Sequence, residues 1–130
     1  MLNDFGLCLS YAGRATEGVE VVDKAKLLNP HYPSFWVMQL GMIYFNARRY
    51  QDAISELEQS DLKDTIDVPL YLAASHAALG HTDQALASMA NVIRLDPLAT
   101  VERLAPTTLY KNASDLNHLR ENLVKAGLPE

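Results

Sequence analysis

The sequence predicts an all-α fold built from helical hairpins. Leu28-Asn29-Pro30 recurs as Leu95-Asp96-Pro97, 67 residues later, which is twice a period of about 33.5. Small residues also recur in pairs 12 residues apart, at Gly6 and Gly18, Gly41 and Ala53, and Ala73 and Ala85. No segment alternates polar and apolar residues with a period of two, so no strand is expected. A small residue on each helix of a hairpin lets the two helices approach closely.

These positions divide the chain into three hairpins and a tail. Residues 1–99 are predicted to hold the repeats, at approximately 1–33, 34–65 and 66–99, and residues 100–130 a C-terminal capping segment. Pro30 and Pro97 should end helices, because proline lacks the amide donor and clashes with the preceding turn. In the tail, Asn112 should cap a last helix with Asp115 at the third position, as in a capping box. Its apolar face is predicted to hold leucines at 116, 119 and 123.

The middle copy resembles the tetratricopeptide repeat, which has a period of about 34 residues. The residues that carry this resemblance are Leu40-Gly41, Tyr44, Tyr50, Ala53 and Leu57. Three positions depart from the family pattern, namely Gly18, Thr65 and His76. The resemblance implies an α-solenoid of about three hairpins plus capping helices, and a role in protein–protein interaction or scaffolding.

A further resemblance is carried by 109–116, by 125–130 and by Asn29-Pro30-His31-Tyr32-Pro33. These segments resemble the C-terminal tetratricopeptide region of bacterial adenylate and guanylate cyclases, and similar tails follow winged-helix regulators. The resemblance implies a regulatory or assembly module of a bacterial signalling protein, without any catalytic residue of the cyclase domain. Since Met1 falls inside the first repeat and no N-terminal cap is visible, we expect a C-terminal piece of a longer protein.

Composition and charge exclude several other classes of protein. The net charge of −5, without a run of Lys and Arg, argues against nucleic acid as a partner. No apolar run reaches the roughly 18 residues that a membrane span needs. Cys8, the only cysteine, permits no internal disulfide, and the N-terminus lacks the basic region of a signal peptide. We therefore expect a cytoplasmic protein without a membrane partner.

The sequence offers no set of residues for catalysis, a metal or a cofactor. The four histidines show no ligand spacing, and His76 and His81, five residues apart, should lie off a common helix face. Glu56 and Glu58 are expected on a solvated face, and Cys8 in the core. The glycines occupy repeat positions, so no phosphate-binding loop is expected. The chain is thus predicted not to be an enzyme by itself.

The first helix of the second copy, from Phe35 to Phe45, is apolar nearly all the way round, and such helices are normally buried on all sides. One of its stripes should face the concave groove of the solenoid, where it could be covered by the tail, a second copy, a foreign peptide or a small apolar ligand. The predicted partner-binding residues of this groove are Leu7, Tyr11, Phe35, Met38, Met42, Phe45, Leu70 and Ala74. The leading hypothesis is a module that binds a protein or peptide, or associates with itself. The alternative is a small-molecule sensor domain that binds an apolar effector in the groove.

Overall fold

The computed structural model describes residues 2–62 and 64–130, with side chains from residue 5 onward. Within those ranges the chain forms eight helices and no strand, so the predicted all-α class is confirmed. The helices are α1 (Leu2–Tyr11), α2 (Ala15–Leu28), α3 (Ser34–Asn46), α4 (Tyr50–Glu58), α5 (Asp67–Ala78), α6 (Thr82–Leu95), α7 (Val101–Leu104) and α8 (Ala113–Lys125).

The first six helices pack as three successive antiparallel hairpins. Helix α1 contacts α2, α3 contacts α4, and α5 contacts α6. The first helices of the hairpins also pack side by side, α1 on α3 and α3 on α5. Helix α8 packs against α5. The core is formed by residues of α2 to α8 together.

Each hairpin turns through the same backbone motif. The second residue after the end of the first helix has a positive φ, at Gly13 (84°), Arg48 (63°) and Gly80 (79°). The next N–H then donates to a carbonyl five residues back: Arg14 to Leu9 (2.8 Å), Arg49 to Tyr44 (2.9 Å) and His81 to His76 (2.8 Å). This is the 6→1 bond of the Schellman motif, which satisfies a carbonyl that the helix end would leave unpaired. The motif fixes where each second helix begins.

The small-residue pairs lie where the two helices of a hairpin meet. A Cβ placed on Gly41 would come within 2.3 Å of the Leu57 Cγ, and a Cβ on Gly6 within 2.8 Å of the Val22 Cγ1. A Cβ on Gly18 would come within 2.7 Å of the Gly6 carbonyl oxygen. Side chains at these positions would separate the helices, which confirms the close approach predicted from the spacing.

The helix starts differ from the prediction in their detail. Asn112 is at the cap position of α8 as predicted, but its side chain makes no capping hydrogen bond. The carboxylate of Asp115 accepts a hydrogen bond from Arg48 instead of completing a capping box, because α8 begins beside the turn of the second hairpin. In the short helix α7, the Thr100 hydroxyl does cap, accepting from the Arg103 N–H at 3.1 Å.

Candidate functional site

The C-terminal segment lies over the ends of the first helices, which is where the predicted groove would be open. The Lys111 N–H donates to the Tyr11 carbonyl at 2.9 Å. The Tyr110 ring lies 4.7 Å from the Tyr11 ring, and its hydroxyl donates to the Asn46 Oδ1. These contacts join the segment before α8 to both α1 and α3.

Helix α8 then covers the C-terminal end of α3. The His118 ring stacks on Phe45 with ring centres 4.7 Å apart, and its Nε2 is 2.7 Å from the Tyr50 hydroxyl. Arg48 and Asp115 form an ion pair at 2.9 Å beside this stack. Three leucines of α8 join the main core: Leu116, Leu119 and Leu123. The tail is therefore the cover at this end of α3, one of the four covers that the sequence left open.

The structure places part of the predicted groove in the core. Met42 is only 9% exposed and Phe45 is fully buried, and Leu70 and Ala74 of α5 are buried as well. These four residues lie in the core of the folded chain and line no open groove. Leu7, Tyr11 and Met38 are half-buried, and Phe35 is 50% exposed. The sequence alone does not show which of these residues are buried, because it does not specify the surface against which the tail packs.

Tyr110 of the tail joins Tyr11 and Tyr71 in a largely buried polar cluster. The hydroxyls of Tyr11 and Tyr71 are hydrogen bonded, and Tyr110 lies against Tyr11. Burial raises the pKa of Tyr11 to about 12 and raises those of Tyr71 and Tyr110 well above the usual value. All three are therefore neutral at pH 7 and cannot act as phenolate bases. Their hydrogen bonds connect the tail to three helices.

A second polar cluster joins the second helices of the first two hairpins. Glu56 is buried, against the prediction of a solvated face, because α2 brings Lys26 to 2.9 Å from its Oε1. The Tyr44 hydroxyl donates to Asp23 at 2.8 Å, and the Arg49 guanidinium lies 4.9 Å from the Tyr44 ring centre. Every charge named here has a partner, so the cluster is a structural contact between hairpins.

Large apolar side chains are exposed near the connection between α2 and α3. Leu27 is 83% exposed and Leu28 72%, and Phe35 follows in the first turn of α3. The two leucines were not among the predicted partner-binding residues. Helical periodicity could have identified them. Helix α2 buries Gly18, Val22 and Ala25, and the same periodicity places residues 27 and 28 away from that buried face. We call Leu27, Leu28, Phe35 and the half-buried Met38 the exposed apolar set.

One further expectation from the sequence is wrong, because Cys8 is exposed and does not lie in the core. His76 and His81 lie off a common helix face as expected, since His81 follows the end of α5. The turn after α5 nevertheless brings their Nδ1 atoms to 3.2 Å from each other. Burial and then the neighbouring His81 lower the pKa of His76, while the charge of Glu58 opposes them.

Among the described residues, no group of three or more His, Cys, Asp or Glu side chains is placed to hold a metal ion. None of the helices in that part of the chain is long and apolar enough to cross a membrane. The chain matches no protein-family model, and no curated protein matches it.

Proposed function

We propose that this chain is a protein-interaction module that binds a partner protein or peptide through the exposed apolar set. The observation that carries the proposal is the exposure of Leu27, Leu28 and Phe35 within nine residues of sequence. Surface connections are normally polar, and clustered large apolar side chains on a surface mark interaction sites. A partner that covers them would remove this apolar area from water.

The surroundings of the set favour a protein partner over a small apolar effector. Tyr32 and Trp36 stack with ring centres 6.2 Å apart beside Phe35, and aromatic side chains are enriched at protein interfaces. The deeper part of the predicted groove, at Phe45, is filled by His118 of the chain itself. An effector of the alternative hypothesis would have to displace that ring, whereas a partner on the exposed set would displace nothing.

The resemblance to the C-terminal region of bacterial cyclases supports a wider proposal. On that basis the module serves a cytoplasmic signalling protein, either in its assembly or in its regulation. The acidic balance of the chain, with a net charge of −5, gives no support to nucleic acid as the partner.

The test replaces the three most exposed members of the set, as Leu27→Gln, Leu28→Gln and Phe35→Gln together. The matched control is Leu98→Gln, because Leu98 is 77% exposed on the connection after α6 and lies outside the set. Both variants should keep the helical circular dichroism spectrum and melting temperature of the parent. Sedimentation velocity measures self-association, and quantitative cross-linking in cells measures foreign partners.

We expect the triple variant to lose the association that the parent and the Leu98→Gln control retain. Exposed side chains contribute little to folding, so a loss with an unchanged melting temperature would assign the effect to the surface. If the parent and the triple variant show the same oligomeric state and the same cross-linked partners, the proposal is wrong.

A further inference from the structure

The turn after α5 brings two imidazole rings together by a backbone mechanism. Gly80 adopts a φ of 79°, and the His81 N–H donates to the His76 carbonyl at 2.8 Å. In a Schellman motif the two residues joined by this bond have neighbouring side chains, although they are five apart in sequence. Helical periodicity, which predicts them to be separated, stops applying at Gly80.

The other two hairpins have different residues at the two positions that this hydrogen bond joins. The corresponding residues are Leu9 with Arg14, and Tyr44 with Arg49. In the second hairpin the two side chains interact directly, the Arg49 guanidinium lying 4.9 Å from the Tyr44 ring centre. The positions therefore tolerate different side chains without changing the turn. In the third hairpin both positions hold a potential metal ligand.

The separation of the two Nδ1 atoms suits two ligands of one metal ion. They are 3.2 Å apart, with ring planes inclined by 44°. Imidazole nitrogens bind Zn²⁺ at about 2.0–2.1 Å, so one ion touching both atoms would subtend an N–metal–N angle of about 100°. That angle lies between the square-planar and tetrahedral values that Cu²⁺ and Zn²⁺ adopt. Without metal the two nitrogens are at hydrogen-bond distance, so the ring that donates must pass its Nδ1 proton to Nε2 or to solvent, and the rings must rotate, when the ion binds.

We propose that His76 and His81 form a bidentate site for a divalent first-row transition-metal ion, with Cu²⁺ bound most tightly. His81 is exposed and gives the ion access, while His76 is held by the end of α5. The remaining coordination positions are filled by water, since no third ligand is in place among the described residues. Imidazole ligands and the Irving–Williams order place Cu²⁺ above Ni²⁺ and Zn²⁺, and Mg²⁺ is not expected to bind.

The experiment titrates the metal alone, as Cu²⁺, Zn²⁺ or Mg²⁺, into the full chain by isothermal titration calorimetry. All proteins carry Cys8→Ser, because the exposed thiol would bind or reduce copper. The first variant is His81→Arg, which gives the third hairpin the residue type that the first two hairpins have at this position, Arg14 and Arg49. The second is His81→Gln, which removes the ligand without adding a positive charge. The matched control is His31→Gln, which changes an exposed histidine outside the pair.

We expect one Cu²⁺ per parent chain, and affinity weaker by about tenfold or more in both His81 variants, since even outer-shell changes cost about that much. The His31→Gln control should bind like the parent, and all variants should melt together. Zinc should shift the ¹⁵N resonances of Nδ1 in both His76 and His81. Absence of Cu²⁺ binding by the parent, unchanged binding in the His81 variants, or zinc shifts confined to other histidines would each overturn the proposal.

Discussion

Gly41 offers the sharpest test of how the hairpins are packed. A Cβ at this position would lie 2.3 Å from Cγ, 2.4 Å from Cδ2 and 2.9 Å from Cδ1 of Leu57, which is fully buried. Atoms cannot approach so closely, so Gly41→Ala must push α4 away from α3 or force Leu57 out of its rotamer. The perturbation is a single methyl group, and it meets a single side chain.

The expected cost follows from two opposing effects. Overpacking a core costs about 1–3 kcal/mol, while replacing glycine by alanine inside a helix returns up to about 1 kcal/mol. Because the new methyl group would meet three atoms closer than 3 Å, the overpacking cost should lie at the upper end of that range. The net destabilisation should then be about 2 kcal/mol, which for a chain of this size lowers the melting temperature by about 7 °C. Gly41→Leu, with a far larger side chain, should cost more than Gly41→Ala.

A double-mutant cycle shows whether Leu57 is the cause. Leu57→Ala removes the three atoms that the new methyl group would meet, and itself costs about 2–5 kcal/mol. On that background Gly41→Ala should become neutral or stabilising, because only the gain in helix propensity remains. Urea denaturation followed by circular dichroism gives the four free energies of unfolding. If Gly41→Ala has the same effect with and without Leu57, or leaves stability unchanged on the parent background, the packing argument fails.

Three further predictions concern buried residues of the core and the tail. Met42→Glu should lower the free energy of unfolding by about 2 kcal/mol or more, because it buries an unpaired charge. Met38→Glu, at a half-buried position, should cost clearly less, and equal urea midpoints for the two variants would contradict the difference in burial between Met42 and Met38. Tyr110→Phe should cost about 1–3 kcal/mol in the same assay, since it leaves the buried Asn46 Oδ1 without its donor. Burial, aided by the charge of Arg48, lowers the pKa of His118 from 6.5 to about 4. As the pH falls, the unfolded chain therefore takes up a proton at this histidine before the folded chain does. Stability should therefore be complete above about pH 6.5 and fall as the pH drops toward 4; this fall should be smaller in His118→Gln, and an identical pH profile would contradict the reasoning.

The hairpin pattern could be predicted from the sequence because it depends on contacts close in the chain. A hairpin joins residues 12 apart through one short turn, so the close contact of Gly6 with Gly18 is expressed directly in their spacing. The helix stops at Pro30 and Pro97 are equally local, because proline acts on its own turn. The buried leucines of α8 were predicted as well, since the periodicity of a helix face survives whatever the face packs against.

Two contacts could not be predicted, because they form outside the range of helical periodicity. His76 and His81 lie off a common helix face as expected, but the φ of 79° at Gly80 reverses the chain and brings the two side chains together. Glu56 was predicted to be solvated because its neighbours in sequence are polar, but Lys26, its partner, comes from the preceding hairpin. Neither partner can be identified without knowing how successive elements are oriented.

The sequence by itself determined the all-α class, the helical pattern and the positions where helices must approach closely, because these follow from periodicity, side-chain size and proline. Only the tertiary structure decided that the tail folds back onto Phe45, leaving Phe35, Leu27 and Leu28 exposed. The physical reason is that an apolar face specifies burial but not the surface that buries it. That choice is made by long-range contacts such as Tyr110 with Asn46 and His118 with Phe45, which join residues more than 60 positions apart.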